Sequence, residues 1–113
     1  MSEIKLCALD DIDDHESSGF IADFGDKKVA VLAVRQGAVV YVYENSCPHI
    51  GTPMDMIPGE FLSEDGQHIE CGTHLAQFRI EDGLCIEGPC EGDRLTQIKA
   101  EVRDGTVYVQ APT

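Results

Sequence analysis

Apolar residues in this 113-residue chain recur at every second position within short runs, and no segment sustains the 3.6-residue period of an amphipathic helix. Runs at residues 4–8, 20–24, 28–35 and 39–44 carry the β-branched and aromatic residues that suit a pleated surface, and they predict strands. An acidic connector, residues 10–18, separates the first two. Gln36-Gly37 reads as a two-residue hairpin turn joining the third run to the fourth. Asp-Gly pairs mark three more turns, at Asp65-Gly66, Asp82-Gly83 and Asp104-Gly105, the first of them within a hairpin over residues 59–70. Residues 95–103 place Ile98, Ala100 and Val102 on one face, and residues 106–110 do the same with Val107 and Val109. The pattern predicts an all-β fold, a small antiparallel barrel or sandwich with an excursion of loops near one end.

Length and composition narrow the function. The chain, residues 1–113, reads as a single domain with a core of its own and no room for a second catalytic module. Its 8 Lys and Arg against 21 Asp and Glu give a net charge of −13, which makes nucleic acid and anionic membranes poor partners. A protein with a basic docking patch would instead be steered toward it at low salt. The opening residues MSEIKLCALDD lack a basic region followed by an apolar run, and no twin-arginine signal or long apolar stretch follows. Cytoplasm is the expected compartment. Five Cys in such a chain argue against a disulfide framework.

Chemistry concentrates in two short pairs. Cys47 and His49 are spaced C-P-H, and Cys71 and His74 are spaced C-G-T-H; Pro48 and Pro53 around the first and Gly72 in the second predict loops. Two thiolates and two imidazoles on two loops can grip one inorganic centre, either zinc or an iron-sulfur cluster whose second iron takes two His in place of two Cys. The order Cys, His, Cys, His differs from the common zinc finger, which puts both Cys first. His68, three before Cys71, falls in a strand and reads as ordinary, and His15 sits in the acidic connector without a partner pattern. Asp10, Asp11, Asp13 and Asp14 lack the glycine and terminal Glu of an EF-hand loop and read as a solvated turn. Cys85 and Cys90 read as small apolar packing groups.

These motifs resemble those of the Rieske 2Fe-2S proteins, in particular the small soluble Rieske-type ferredoxins. The resemblance rests on NSCPHIGTPM from Asn45 to Met54 and CGTHLAQFRIEDG from Cys71 to Gly83, then Gly88-Pro89 and the tail LTQIKAEVRDGTVYV, and it spans roughly residues 28 to 110. One departure is the spacer between the pairs, residues 50–70, which is longer than the family leads one to expect; the hairpin over residues 59–70 accounts for the excess without touching a ligand. The resemblance implies the Rieske fold, with a cluster-binding loop subdomain, and one 2Fe-2S cluster held by Cys47 and Cys71 on one iron and His49 and His74 on the other. Gly88-Pro89 would correspond to the proline loop that covers the cluster.

The implied function is electron transfer without a catalytic site. A ferric-ferric core of about +2 against two thiolates adds about zero to the net charge, so the protein stays acidic in both redox states. The His-bound iron would accept the electron, and its potential would fall with pH as a ligand imidazole loses its outer proton. In the high-potential members a disulfide joins the two loops, and two hydroxyls donate to the cluster sulfurs. The corresponding positions here are Thr52 and Thr73, which cannot form the bridge, and Ala76 and Phe78, which carry no hydroxyl. A potential near the lower end of roughly −150 to +300 mV is expected. The resemblance thus implies a shuttle from an NAD(P)H-dependent flavoprotein reductase to a terminal oxygenase of the ring-hydroxylating dioxygenase kind. A small Rieske-like subunit of an assimilatory nitrite reductase is the alternative, and a zinc-stabilised binding module a second one.

Overall fold

A computed structural model describes residues 3–25, 28–45, 62–63, 66–70, 76–88 and 92–110. The elements are β1 (Glu3–Ala8), a single 3-10 turn (Leu9–Asp11), β2 (Ser17–Asp23), β3 (Lys28–Gln36), β4 (Val39–Glu44), β5 (His68–Glu70), β6 (Gln77–Arg79), β7 (Cys85–Glu87), β8 (Gln97–Ile98), β9 (Ala100–Arg103) and β10 (Thr106–Gln110). They form three antiparallel sheets, ordered β1-β10-β9, β2-β3-β4-β8 and β5-β6-β7. The all-β expectation holds, and no α-helix occurs among the described residues.

Two cores, an upper one against the β5-β6-β7 sheet and a lower one on the opposite side, share one strand pair. Leu32 and Val34 of β3 and Tyr43 of β4 pack with Ile69, Phe78 and Cys85 of the β5-β6-β7 sheet. On the opposite faces of the same strands, Val31, Ala33, Val40 and Val42 pack with Cys7, Ile98, Val107 and Val109. This two-sided burial explains the unbroken apolar run Val31 to Val34, where a strand with one wet face would alternate. Each buried Leu or Val contributes about 1.5–3 kcal/mol as an upper estimate, so β3 and β4 weld the small sheet to the rest of the fold.

The sequence expectations need three adjustments. The β3–β4 turn is Gly37-Ala38, one residue later than expected, because Gln36 pairs with Val39; Gly37 takes φ 63°, the positive value that a II′ hairpin requires at its first central position. Strand β2 begins at Ser17, three residues before the apolar run, because Ser17, Ser18 and Gly19 pair with Val34, Ala33 and Leu32. Residues 95–103 are two strands in two sheets: β8 pairs with β4, β9 pairs with β10, and Lys99 separates them. Ile98 nevertheless shares a core with Ala100 and Val102, which preserves the alternation across the break.

Candidate metal centre

Cys47, His49, Cys71 and His74 lie outside the described residues, as do Thr52, Thr73, Pro89 and Cys90. What the structure places is the platform from which their segments depart. Glu70 pairs with Gln77 and Gln77 with Glu87, so one row of residues closes one end of the β5-β6-β7 sheet. Residues 71–75 connect Glu70 to Ala76 at that row, and residues 89–91 follow Gly88 beside it. Leu62 bridges Ile69 in antiparallel fashion, one row in from that end. The flanks of the Cys71–His74 pair and of Pro89 thus meet at one end of one small sheet.

Backbone contacts fix that meeting point. Gly88 has φ 109°, and a Cβ built on it would lie 2.7 Å from Ala76 Cα and 2.9 Å from Ala76 Cβ. Only glycine allows the two chains to come this close. The side chains of Glu70 and Gln77 tie the neighbouring strands, with Gln77 Nε2 donating to Glu70 Oε2 at 3.2 Å. Beyond β5, Ser63 N donates to His68 O at 2.8 Å and Gly66 N to Ser63 O at 2.9 Å, so a hairpin turns near residue 66 as the sequence predicts; residues 64 and 65 themselves lie outside the described set.

The platform is anchored from below by Tyr43. Its side chain is fully buried, and its hydroxyl donates to Ile80 O at 2.5 Å. Burial, reinforced by the carboxylates of Asp82 and Glu81, pushes the phenol far above its ordinary range, so it remains a donor. The turn at Asp82-Gly83 closes on the same ring: a Cβ on Gly83 would lie 2.9 Å from Tyr43 Cε1, and Leu95 N donates to Gly83 O at 3.0 Å. Sequence reasoning missed this anchor, and the period-2 pattern of β4 was its only visible trace.

The remaining candidates fall into place as side chains of ordinary structure. Ala76 and Phe78 are fully buried in the upper core, so neither supplies a hydroxyl and both pack. His68 is a strand residue in β5. The acidic run disperses: Asp11 Oδ2 accepts from Ala8 N at 2.9 Å, Asp14 Oδ1 accepts from Gly37 N at 2.7 Å, and Asp10 lies 3.7 Å from Arg35. No group of three metal-ligating side chains forms among the described residues. Cys85 is buried, and its thiol donates to Glu87 O at 3.3 Å, in keeping with a packing role. Cys7 is buried in the lower core, where the apolar surroundings push its thiol up to about 11, with Asp11 adding to the shift and Lys5 opposing it.

Three comparisons bear on the site. The family model described as the Rieske [2Fe-2S] domain matches residues 2–107. Ferredoxin CarAc of Metapseudomonas resinovorans is 34% identical over 110 residues, covering 94% of this chain and 91% of that protein. Among solved structures, the ferredoxin of carbazole 1,9a-dioxygenase from Nocardioides aromaticivorans IC177 superposes with a TM-score of 0.78 at 24% identity, each chain covered in full. A complex of reduced oxygenase and oxidised ferredoxin in carbazole 1,9a-dioxygenase matches with a TM-score of 0.71 at 27% identity, covering 95% of this chain and 91% of the other. No helix among the described residues is long and apolar enough to cross a membrane.

Proposed function

The chain belongs to the Rieske [2Fe-2S] domain family, and from that premise we propose that it is a single-electron carrier, a ferredoxin that delivers electrons to a terminal oxygenase. Ferredoxin CarAc shares a third of its sequence, and the structures that share its fold include a ferredoxin of carbazole 1,9a-dioxygenase and a complex of that system's oxygenase with its ferredoxin. It is an electron-transfer component and not itself an enzyme. Cys47 and Cys71 would hold one iron and His49 and His74 the other; the 2Fe-2S cluster supplies a reversible one-electron couple when bound. The observation that carries this assignment is the approach of Gly88 to Ala76. It joins the flank of the Cys71–His74 segment to the flank of Pro89, at one end of the β5-β6-β7 sheet.

The protein's own part is to hold the loops and to set the potential. Buried Ala76 and Phe78 give the cluster sulfurs no hydroxyl donors, which supports a low-potential carrier. Such a carrier fits an NAD(P)H-dependent flavoprotein reductase as its electron source, and the cytoplasm, where that reductant resides, as its compartment. The two cores share β3 and β4, which supports treating residues 1–113 as one domain. A strongly acidic protein would dock transiently on basic faces of both partners.

The test begins with low-temperature EPR before and after dithionite, with iron and acid-labile sulfide quantified. A silent oxidised sample, a rhombic one-electron signal on reduction, and about two irons per chain are expected. Zinc without sulfide, in a colourless protein, would overturn the assignment. The reduced protein is then mixed anaerobically with the oxygenase component of carbazole 1,9a-dioxygenase, and its reoxidation is followed by visible absorbance. Rapid reoxidation is expected; its absence, alongside rapid reoxidation by a siroheme nitrite reductase, would move the protein to the nitrite-reducing class.

A further inference from the structure

Three large apolar side chains are exposed among the described residues, and one of them stands at the loop-bearing end of the small sheet. Ile86 in β7 is 41% exposed; Ile21 lies on β2 and Val39 beside the distal β3–β4 turn. A single exposed isoleucine is ordinary on any surface. What sets Ile86 apart is how it comes to be exposed. Phe78 pairs with Cys85 and Gln77 with Glu87, so two adjacent residues of β6 face a stretch of three in β7, and Ile86 is the inserted residue of a β-bulge. In a regular strand Cys85 and Glu87 would share a face, which would aim Glu87 at the core. The bulge instead leaves Cys85 buried and turns both Ile86 and Glu87 outward, one and two residues before the glycine that fixes the loop platform. A ladder position is given up to build an apolar side chain with a carboxylate beside it, in the end row of the sheet that also holds Glu70, the residue before Cys71.

We infer that Ile86 is the apolar anchor by which the protein docks on its terminal oxygenase, with Glu87 and Glu70 as the carboxylate rim that meets basic side chains of that partner. This rests on the ferredoxin function proposed above. Small interfaces between electron-transfer proteins draw their affinity from one or two desolvated apolar contacts, ringed by polar groups that exclude water and steer encounter. Charge complementarity selects the partner's chemistry: the rim carboxylates belong to a chain of net charge −13, so the matching face must be basic. Val39, more exposed than Ile86 at 50% but at the far end of β4, provides an internal control.

The test compares the intact cluster-loaded protein with Ile86→Thr, Ile86→Lys and Val39→Thr in electron delivery to the oxygenase component of carbazole 1,9a-dioxygenase. The readout is the ferredoxin concentration that half-saturates the rate. Ile86→Thr is expected to raise it about fivefold and Ile86→Lys further, whereas Val39→Thr leaves it unchanged. EPR signal and potential stay as in the parent, which separates docking from damage to the cluster. Glu87→Gln is expected to flatten the salt dependence of the rate. If both Ile86 variants keep the half-saturating concentration within about twofold of a parent that does reduce the oxygenase, the docking role is overturned and the ferredoxin function stands. If the parent itself does not reduce the oxygenase, that function fails and the docking role falls with it. Should Ile86→Thr not load its cluster, Ile86→Lys, whose long stem covers the same strand edge, decides the matter.

Discussion

The α-carbon of Gly88 rests on Ala76 so closely that no other residue fits: a Cβ there would lie 2.7 Å from Ala76 Cα, at a backbone φ of 109° that L-residues rarely adopt. Gly88→Ala therefore meets both backbone strain and a collision with main chain, together about 1–3 kcal/mol or more. Gly25 supplies the contrast, since its φ is 93° and a Cβ would meet nothing within 4 Å. Urea titrations followed by cluster absorbance should show Gly88→Ala losing its cluster well before the parent. Gly25→Ala, whose cost is backbone strain alone, should lose stability without separating cluster loss from global unfolding.

Tyr43 joins the loop-bearing sheet to the central strand pair through its hydroxyl, which donates to Ile80 O at 2.5 Å inside the upper core. Tyr43→Phe keeps the ring against Gly83 and Leu95 but deprives a buried carbonyl of its donor. A loss of about 1–3 kcal/mol in equilibrium unfolding is expected, with far-ultraviolet circular dichroism of the folded state unchanged. A loss below about 0.5 kcal/mol would mean that Ile80 O finds another donor.

How much of this was legible beforehand depended on whether a residue's role lay in local pattern or in distant pairing. Strand β4 and the hairpin of β9 and β10 follow from alternation and turn chemistry, and the structure keeps both. Strands β6 and β7 are three residues each, too short for a period to emerge, and their assembly into one sheet with β5 is set by the core that β3 and β4 provide. The break at Lys99 was invisible because Ile98, Ala100 and Val102 keep facing the same core while the chain changes sheets. The bulge at Ile86 had no local signal, since Cys85 and Ile86 are both apolar and either could have faced inward. The proposed ligands are the opposite case: Cys47, His49, Cys71 and His74 are candidates by type and spacing alone, and they lie outside the described residues.

Cys7 gives the protein a specific alkaline weakness. Burial, with Asp11 adding and Lys5 opposing, raises its thiol from an ordinary 9.0 to about 11. The native state thus keeps a proton that the unfolded chain releases, so this contribution is complete below about pH 9 and is lost as pH rises through about 11. Across that window the loss amounts to up to about 2–3 kcal/mol. Cys7→Ala is expected to be less stable at pH 7 through the cavity it leaves, yet to show a shallower decline between pH 9 and 11 than the parent. Parallel declines in chemical-denaturation series at several pH values would assign the alkaline sensitivity to other groups, Tyr43 first among them.

Phe78 tests whether the low potential proposed for this protein follows from a missing hydroxyl. It stands four residues after His74, is fully buried, and pairs with Ile69 and Cys85 one row in from the end of the sheet formed by Glu70, Gln77 and Glu87. Phe78→Tyr adds one donor to that environment. A donor that reaches a cluster sulfur binds the more negative reduced state better, and a preference of about 1.4 kcal/mol corresponds to about 59 mV for a one-electron couple. The expected result in spectroelectrochemical titration is a rise in potential of tens of millivolts, on the order of that figure, with little change in unfolding free energy. An unchanged potential accompanied by a stability loss of about 1–3 kcal/mol would place the new hydroxyl unpartnered among Ile69, Leu95 and their neighbours. In that case the hydroxyl deficit at position 78 does not set the potential, and the charge and solvent exposure of the cluster become the quantities to vary.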